Sequence, residues 1–185
     1  MKLIGSHASP YVRRIRMIMI DHLIEFIPIN VFSPEGQEQL AELSPTRRVP
    51  VLVDGEVLIW DSMLIHKHIT HEHFDIEFEK DLVLINEAND AALLLYQFKL
   101  FGLDNKGDNP LTKIIQQRLD DVLRYFEDMA SDEELHWNTK GIWLYCLLDW
   151  MSFRQIIPWE SDYPALLGFH KGNQDHEEVK STQPK

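Results

Sequence analysis

Two serines stand where a hydroxyl meets the start of a helical pattern. Ser9 precedes Pro10, and Ser62 follows Asp61. At such a position a side chain either caps the helix or, with the backbone N–H groups at its positive end, holds an anion. Three arginines, Arg13, Arg14 and Arg16, crowd the two turns after Pro10, against the preference of a helix start for acids. One of them is expected to pair with an acidic group across a domain or dimer boundary, solvated charge being the alternative. His66, His68, His71 and His73 form a cluster in which His68 and His71 share a helix face at i, i+3. No cysteine accompanies them, so exposed histidines titrating near neutral pH are expected rather than a zinc site. The single cysteine, Cys146, lies in an apolar stretch, which excludes a disulfide or a cysteine zinc site within one chain and leaves a small core residue.

These residues need elements to position them, and the two halves of the chain differ in pattern. Lys2 to Ile4 is a short strand, and after Ser9-Pro10 the residues Val12, Ile15, Ile18, Met19 and Leu23 recur at helical spacing. Phe26 to Val31 predicts a second strand, and Gln37 to Leu43 a short helix after the Ser33-Pro34-Glu35-Gly36 turn. Val51 to Val53 and Val57 to Ile59 flank Asp54-Gly55-Glu56, a hairpin signal. Ser62 is expected to cap a helix carrying Leu64, Ile65 and Ile69 and ending near His71. The order is βαβαββα. Beyond it only helical patterns follow: Leu82 to Leu100, an amphipathic face of Leu111, Ile115, Leu119, Val122 and Phe126, and an all-round apolar run, Ile142 to Leu148, with Asn138 as its cap. The tail, Lys171 to Lys185, is polar and expected to be loosely held. The expected division is an α/β domain over 1–75 and an all-helical domain over 76–185.

Thirty acidic against 18 basic residues give a formal charge of -12, which disfavours a nucleic-acid partner, since phosphate binding depends on clustered Lys and Arg. The N-terminus meets Arg13 and Arg14 too early for a signal-peptide core, and no apolar run approaches ~18 residues. A soluble, cytoplasmic protein with no membrane partner is expected.

Ser9-Pro10-Tyr11-Val12-Arg13, the segment Ser44-Pro45-Thr46-Arg47-Arg48-Val49-Pro50-Val51-Leu52, Asp61-Ser62 and the strand order together resemble the glutathione transferases. Cys146 to Arg154 is similar to the ending of that family's central helix, so the resemblance spans nearly the whole chain. It implies a thioredoxin-like glutathione-binding domain followed by a helical bundle. It also implies a cis Val49-Pro50 bond presenting the Val49 backbone to the cysteinyl backbone of glutathione as an added strand. Ser62 would hold the γ-glutamyl carboxylate, Asp61 the ammonium group, and Arg48, or Arg47 in its place, the glycine carboxylate. Ser9 is the implied stabiliser of the glutathione thiolate, with Ser6, His7 and Tyr11 as alternatives and helix capping as the competing use of its hydroxyl. Ser9 and Val12 stand where redox relatives carry cysteines, which argues against thiol-disulfide exchange. One departure stands out: where the family often has an acid three positions after the central-helix cap, this chain has Gly141.

The reading is a bacterial, serine-type glutathione S-transferase, a homodimer with glutathione as co-substrate and no metal. It would join glutathione to a small hydrophobic electrophile in a pocket between the halves, lined around Tyr96, Phe98 and Phe101 and the loop after Gly5. The alternative is a non-catalytic relative that binds a partner protein as a stress or regulatory module.

Overall fold

Residues 3, 4, 51 and 52 alternate between the two faces of one sheet, and each face has its own apolar cover. The computed structural model describes residues 1–20, 22–103 and 109–185. Its strands are β1 (Lys2–Gly5), β2 (Glu25–Pro28), β3 (Val51–Asp54) and β4 (Val57–Trp60), with helices α1 (Pro10–Ile18), α2 (Pro34–Leu43) and α3 (Ser62–Thr70) between and after them. The sheet order is β2-β1-β3-β4; β1 runs parallel to β2 and antiparallel to β3, which pairs antiparallel with β4. Leu3 and Leu52 pack with Val12, Ile15, Met19 and Ile65 on one face, while Ile4 and Val51 pack with Leu40 on the other. This is the period-2 alternation of a sheet covered on both sides. The thioredoxin-like order βαβαββα is the one expected.

Gly5 lets α1 approach the end of β1. A Cβ there would stand 2.5 Å from Cγ2 of Val12, too close for any side chain. Helix α1 is shorter than the apolar spacing predicts: it ends at Ile18, and Leu23, expected on its buried face, is fully exposed. Strand β2 stops at Pro28 instead of Val31 because its partner β1 ends at Gly5, to whose carbonyl the Ile29 N–H donates at 2.9 Å. Helix α2 begins three residues earlier than expected, at Pro34, since the Ser33 hydroxyl accepts from the Gly36 N–H at 3.1 Å and caps it there.

The second unit is helical: α4 (Ile76–Leu100), α5 (Pro110–Ser131), α6 (Thr139–Arg154), α7 (Trp159–Asp162) and α8 (Pro164–Gly172). Helix α4 starts six residues before the predicted Leu82 because the Asp75 side chain accepts from the Phe78 N–H at 2.9 Å. At the centre lies α6, with every residue from Trp143 to Leu148 buried, Cys146 among them. Asn138 caps it, accepting from the Gly141 N–H at 3.2 Å. The missing acid at Gly141 has a steric reason: a Cβ there would lie 2.1 Å from the His136 carbonyl oxygen. Lys140 and the Tyr125 hydroxyl both donate to Asp81 at 2.8 Å, tying α6 and α5 to α4. The bond to Asp81 is the main cause that raises the Tyr125 pKa to about 12, with burial adding to it.

The tail is not loose. Residues Glu177–Ser181 form α9, and Val179 and Thr182 are buried. By contact the first unit is Met1–His73 together with Asp175–Lys185, and the second is Phe74–Gln174, so the last eleven residues leave the helical domain to which 76–185 assigned them. Their anchor is helix α1. Arg13 donates through Nε to the Thr182 hydroxyl at 3.4 Å and through Nη2 to the Val179 carbonyl at 3.3 Å, and Arg16 donates to the Ser181 carbonyl at 3.4 Å. Among the described residues, no helix is long and apolar enough to cross a membrane.

Candidate functional site

Three of the expected motifs meet at one end of the sheet. The register sets Val51 opposite Ile4 on one side and Trp60 on the other. The end of β1, the start of β3 and the end of β4 are therefore level, and the segments that leave them carry Ser9, Val49-Pro50 and Asp61-Ser62.

Ser9 is the cap of α1. Its backbone is extended, and its Oγ accepts from the Val12 N–H at 3.4 Å, a long bond that leaves the partly exposed hydroxyl weakly held. The Ser6 hydroxyl is turned inward on its own loop, accepting from the Ala8 N–H at 3.3 Å. His7 packs edge-on against Phe26, with ring centroids 4.9 Å apart, and its Nδ1 lies 3.5 Å from Nη1 of Arg16. Burial first, then the charges of Arg16 and Lys185, push its pKa below 6.5. Tyr11 lies under the Arg14 guanidinium, 4.9 Å from ring centre to Cζ.

The Val49-Pro50 bond is cis. Strand pairing begins only at Val51, so Val49 stands outside the ladder. The loop before it is fixed by short-range bonds: Ser44 and Thr46 hydroxyls are 2.8 Å apart, the Arg48 N–H donates to Thr46 Oγ1 at 3.3 Å, and the Arg47 N–H donates to the Ser44 carbonyl at 3.1 Å. Arg47 takes a φ of 52°, and both arginine side chains are exposed.

Asp61, not Ser62, caps α3. Its Oδ1 accepts from the N–H groups of Met63 at 2.8 Å and Leu64 at 3.3 Å, and its φ of 76° lies in a region that costs a non-glycine residue about 1–3 kcal/mol. The expected cap was misplaced by one residue. Ser62 is the first helical residue and is buried, and its Oγ accepts from Arg14 Nε at 3.1 Å and also from Nη2.

Residues 3–76 match the glutathione S-transferase N-terminal domain. That stretch belongs to the glutathione S-transferase N-terminal domain family. Over its whole length it is similar, at 24% identity and with 98% of that protein covered, to the uncharacterized GST-like protein YibF of Escherichia coli (strain K12). Its fold is that of a glutathione S-transferase from Methylobacillus flagellatus KT solved with GSH bound (TM-score 0.86, 19% identity, 100% of this chain and 99% of that one). It is equally that of a glutathione transferase family member from Pseudomonas fluorescens Pf-5 with bound glutathione (TM-score 0.80, 20% identity, 100% and 98%).

Two of the three arginines of α1 are not solvated. Arg13 and Arg14 are 2% and 1% exposed, and the partners described above are serine and threonine hydroxyls and backbone carbonyls. Sequence reasoning flagged them as a violation of the helix-dipole preference; the hydroxyl and carbonyl partners described above lie 48 and about 165 residues away and have no composition signal. The histidines also separate. The His66 side chain is buried and bonds Glu72 through Nε2 at 2.9 Å, whereas His68 bonds Asp54 at 2.9 Å. His66 thus corrects the expectation of an exposed cluster. Among the described residues, no three His, Cys, Asp or Glu side chains gather as metal ligands. Tyr96 packs edge-on to Trp150 at 5.7 Å with Arg154 over its face at 5.0 Å, while Phe101 is exposed.

Proposed function

We propose that the protein is a glutathione transferase that joins the glutathione sulfur to a small hydrophobic electrophile, working as a cytoplasmic homodimer. The observation that carries this reading is the convergence of Ser9, the cis Val49-Pro50 turn and Asp61-Ser62 at one sheet end. Val49 would pair with the cysteinyl backbone, Ser62 and the α3 N-terminus would take the γ-glutamyl carboxylate, Asp61 the ammonium, and Arg48 the glycine carboxylate.

A free thiol with a pKa near ~8.5 is only slightly ionised at neutral pH. A Ser9 hydroxyl donated to the sulfur stabilises the thiolate by roughly 1.5–3 kcal/mol, about one to two pKa units, and the α1 dipole adds a fraction. The sulfur then attacks the electrophilic carbon. With an aryl halide, a C–S bond forms, the halide leaves with its bonding pair, and the thiol proton goes to solvent.

The test is calorimetry of glutathione on wild type and Ser62→Ala, with conjugation of a generic aromatic halide followed in wild type and Ser9→Ala. Ser62→Ala should lose binding, and Ser9→Ala should lose turnover by about tenfold or more. A wild type that binds no glutathione at millimolar concentration sinks the enzyme reading. The second reading is a partner-binding module without catalysis, in which the cap that the Ser9 oxygen makes by accepting from the Val12 N–H is the whole role of that hydroxyl. It predicts glutathione binding unaffected by Ser9→Ala and no turnover in either protein.

A further inference from the structure

The buried guanidinium of Arg14 and the hydroxyl of Ser62 form a pair whose chemistry is directional. A serine hydroxyl has two acceptor lone pairs and one hydrogen. Both hydrogen bonds made by the Ser62 hydroxyl among the described residues are received from Arg14, one from Nε at 3.1 Å and one from Nη2. With both lone pairs occupied, the hydroxyl has only its O–H left, and it can act only as a donor. Arginine has no acceptor and stays charged at any ordinary pH, so this polarity cannot reverse.

We propose that Arg14 is a positioning residue that fixes the Ser62 hydroxyl as a hydrogen-bond donor, so that the start of α3 selects a carboxylate on the bound peptide and rejects a group that can only donate. The inference rests on the glutathione reading above and assigns to a residue of α1 the discrimination at the γ-glutamyl end. Three sources of positive potential add there: the α3 N-terminus, the Ser62 O–H and the Arg14 charge behind it. One oxygen of Asp61, Oδ1, is already held by the Met63 and Leu64 N–H groups. The Arg14 charge is also felt along the helix. His66, one turn after Ser62, has its pKa lowered first by burial, with Arg14 and Lys67 adding to the effect and Glu72 opposing it.

Calorimetry with two ligands separates this role from mere support of the fold. One ligand is glutathione and the other is γ-aminobutyryl-cysteinylglycine, which keeps the amine and lacks the γ-glutamyl carboxylate. Wild type should favour glutathione by roughly tenfold or more, the worth of a hydrogen bond to a charged acceptor. Ser62→Ala and Arg14→Met should each lose most of that ratio, and Arg14 with Ser62 both changed should lose no more than either alone. If Arg14→Met does not fold, Arg14→Lys replaces it: its ammonium keeps the charge but lacks the planar fork that fills both lone pairs, and the ratio should fall several-fold. An undiminished ratio in Arg14→Met, or in Arg14→Lys where that variant stands in for it, overturns the inference while leaving glutathione binding intact. Equal binding of the two ligands by wild type also overturns it alone, whereas absence of glutathione binding overturns both this inference and the proposed function.

Discussion

Asp61 combines a favourable and an unfavourable term in one residue. Its carboxylate caps α3, worth about 0.5–2 kcal/mol, while its φ of 76° is strained. Asp61→Ala removes the cap and keeps the strain, and Asp61→Gly removes both. Urea unfolding should therefore rank the alanine variant last, about 1 kcal/mol or more below wild type, with the glycine variant above it. Equal stability of the two variants would show that the strain is absent. The one-residue error in placing this cap is instructive. Asp and Ser are equally good caps by type, and only the left-handed backbone of Asp61, which no pattern encodes, decides between them. Ser9 and Val49-Pro50, by contrast, were legible because a serine before a proline and a Val-Pro before a strand are local signals.

Among the elements, α1 and α9 show where sequence reading failed. Helix α9 is five residues long with Val179 as its one buried apolar side chain, so it offers no periodicity to detect. What holds it is Arg13, whose bonds reach Val179 and Thr182. Arg13→Met would strip the Val179 carbonyl of a buried donor, at a cost of about 1–3 kcal/mol by urea unfolding. An unchanged midpoint would mean that the α9 contact contributes nothing to stability. In α6 the sequence showed the apolar run and its Asn138 cap, but not the reason for Gly141. The His136 carbonyl 2.1 Å from a would-be Cβ supplies it, and Gly141→Ala should destabilise by about 1–3 kcal/mol despite the better helix propensity of alanine. A stabilised variant would refute that contact.

For the molecule as a whole, the change from an α/β pattern to a helical one was legible, and so was the element order βαβαββα, because each strand was a separate apolar run. The division of the chain was not. It depends on contacts between residues more than 160 apart, which a linear reading does not see. One global property follows from a buried histidine. His66 has a native pKa below its ordinary 6.5, chiefly through burial, so between the two values the unfolded chain binds more protons. Its contribution to stability is complete above about pH 6.5 and is lost as the pH falls through the native value. Unfolding midpoints at about pH 7.5 and about pH 5.5 should fall in wild type and fall less in His66→Gln; an identical pH dependence would remove His66 from the account.

The return of residues 175–185 to the first unit has a consequence for how the protein is made. A chain leaves the ribosome from its N-terminus, and domains generally fold as units in that order. Here the first unit to emerge lacks the segment that bonds Arg13 and Arg16 until more than a hundred further residues, including the whole helical unit, have been synthesised. The unit that is translated first is completed last, and a nascent chain stalled before Asp175 has the whole sheet and helix α1 but not the Val179 and Thr182 partners of Arg13.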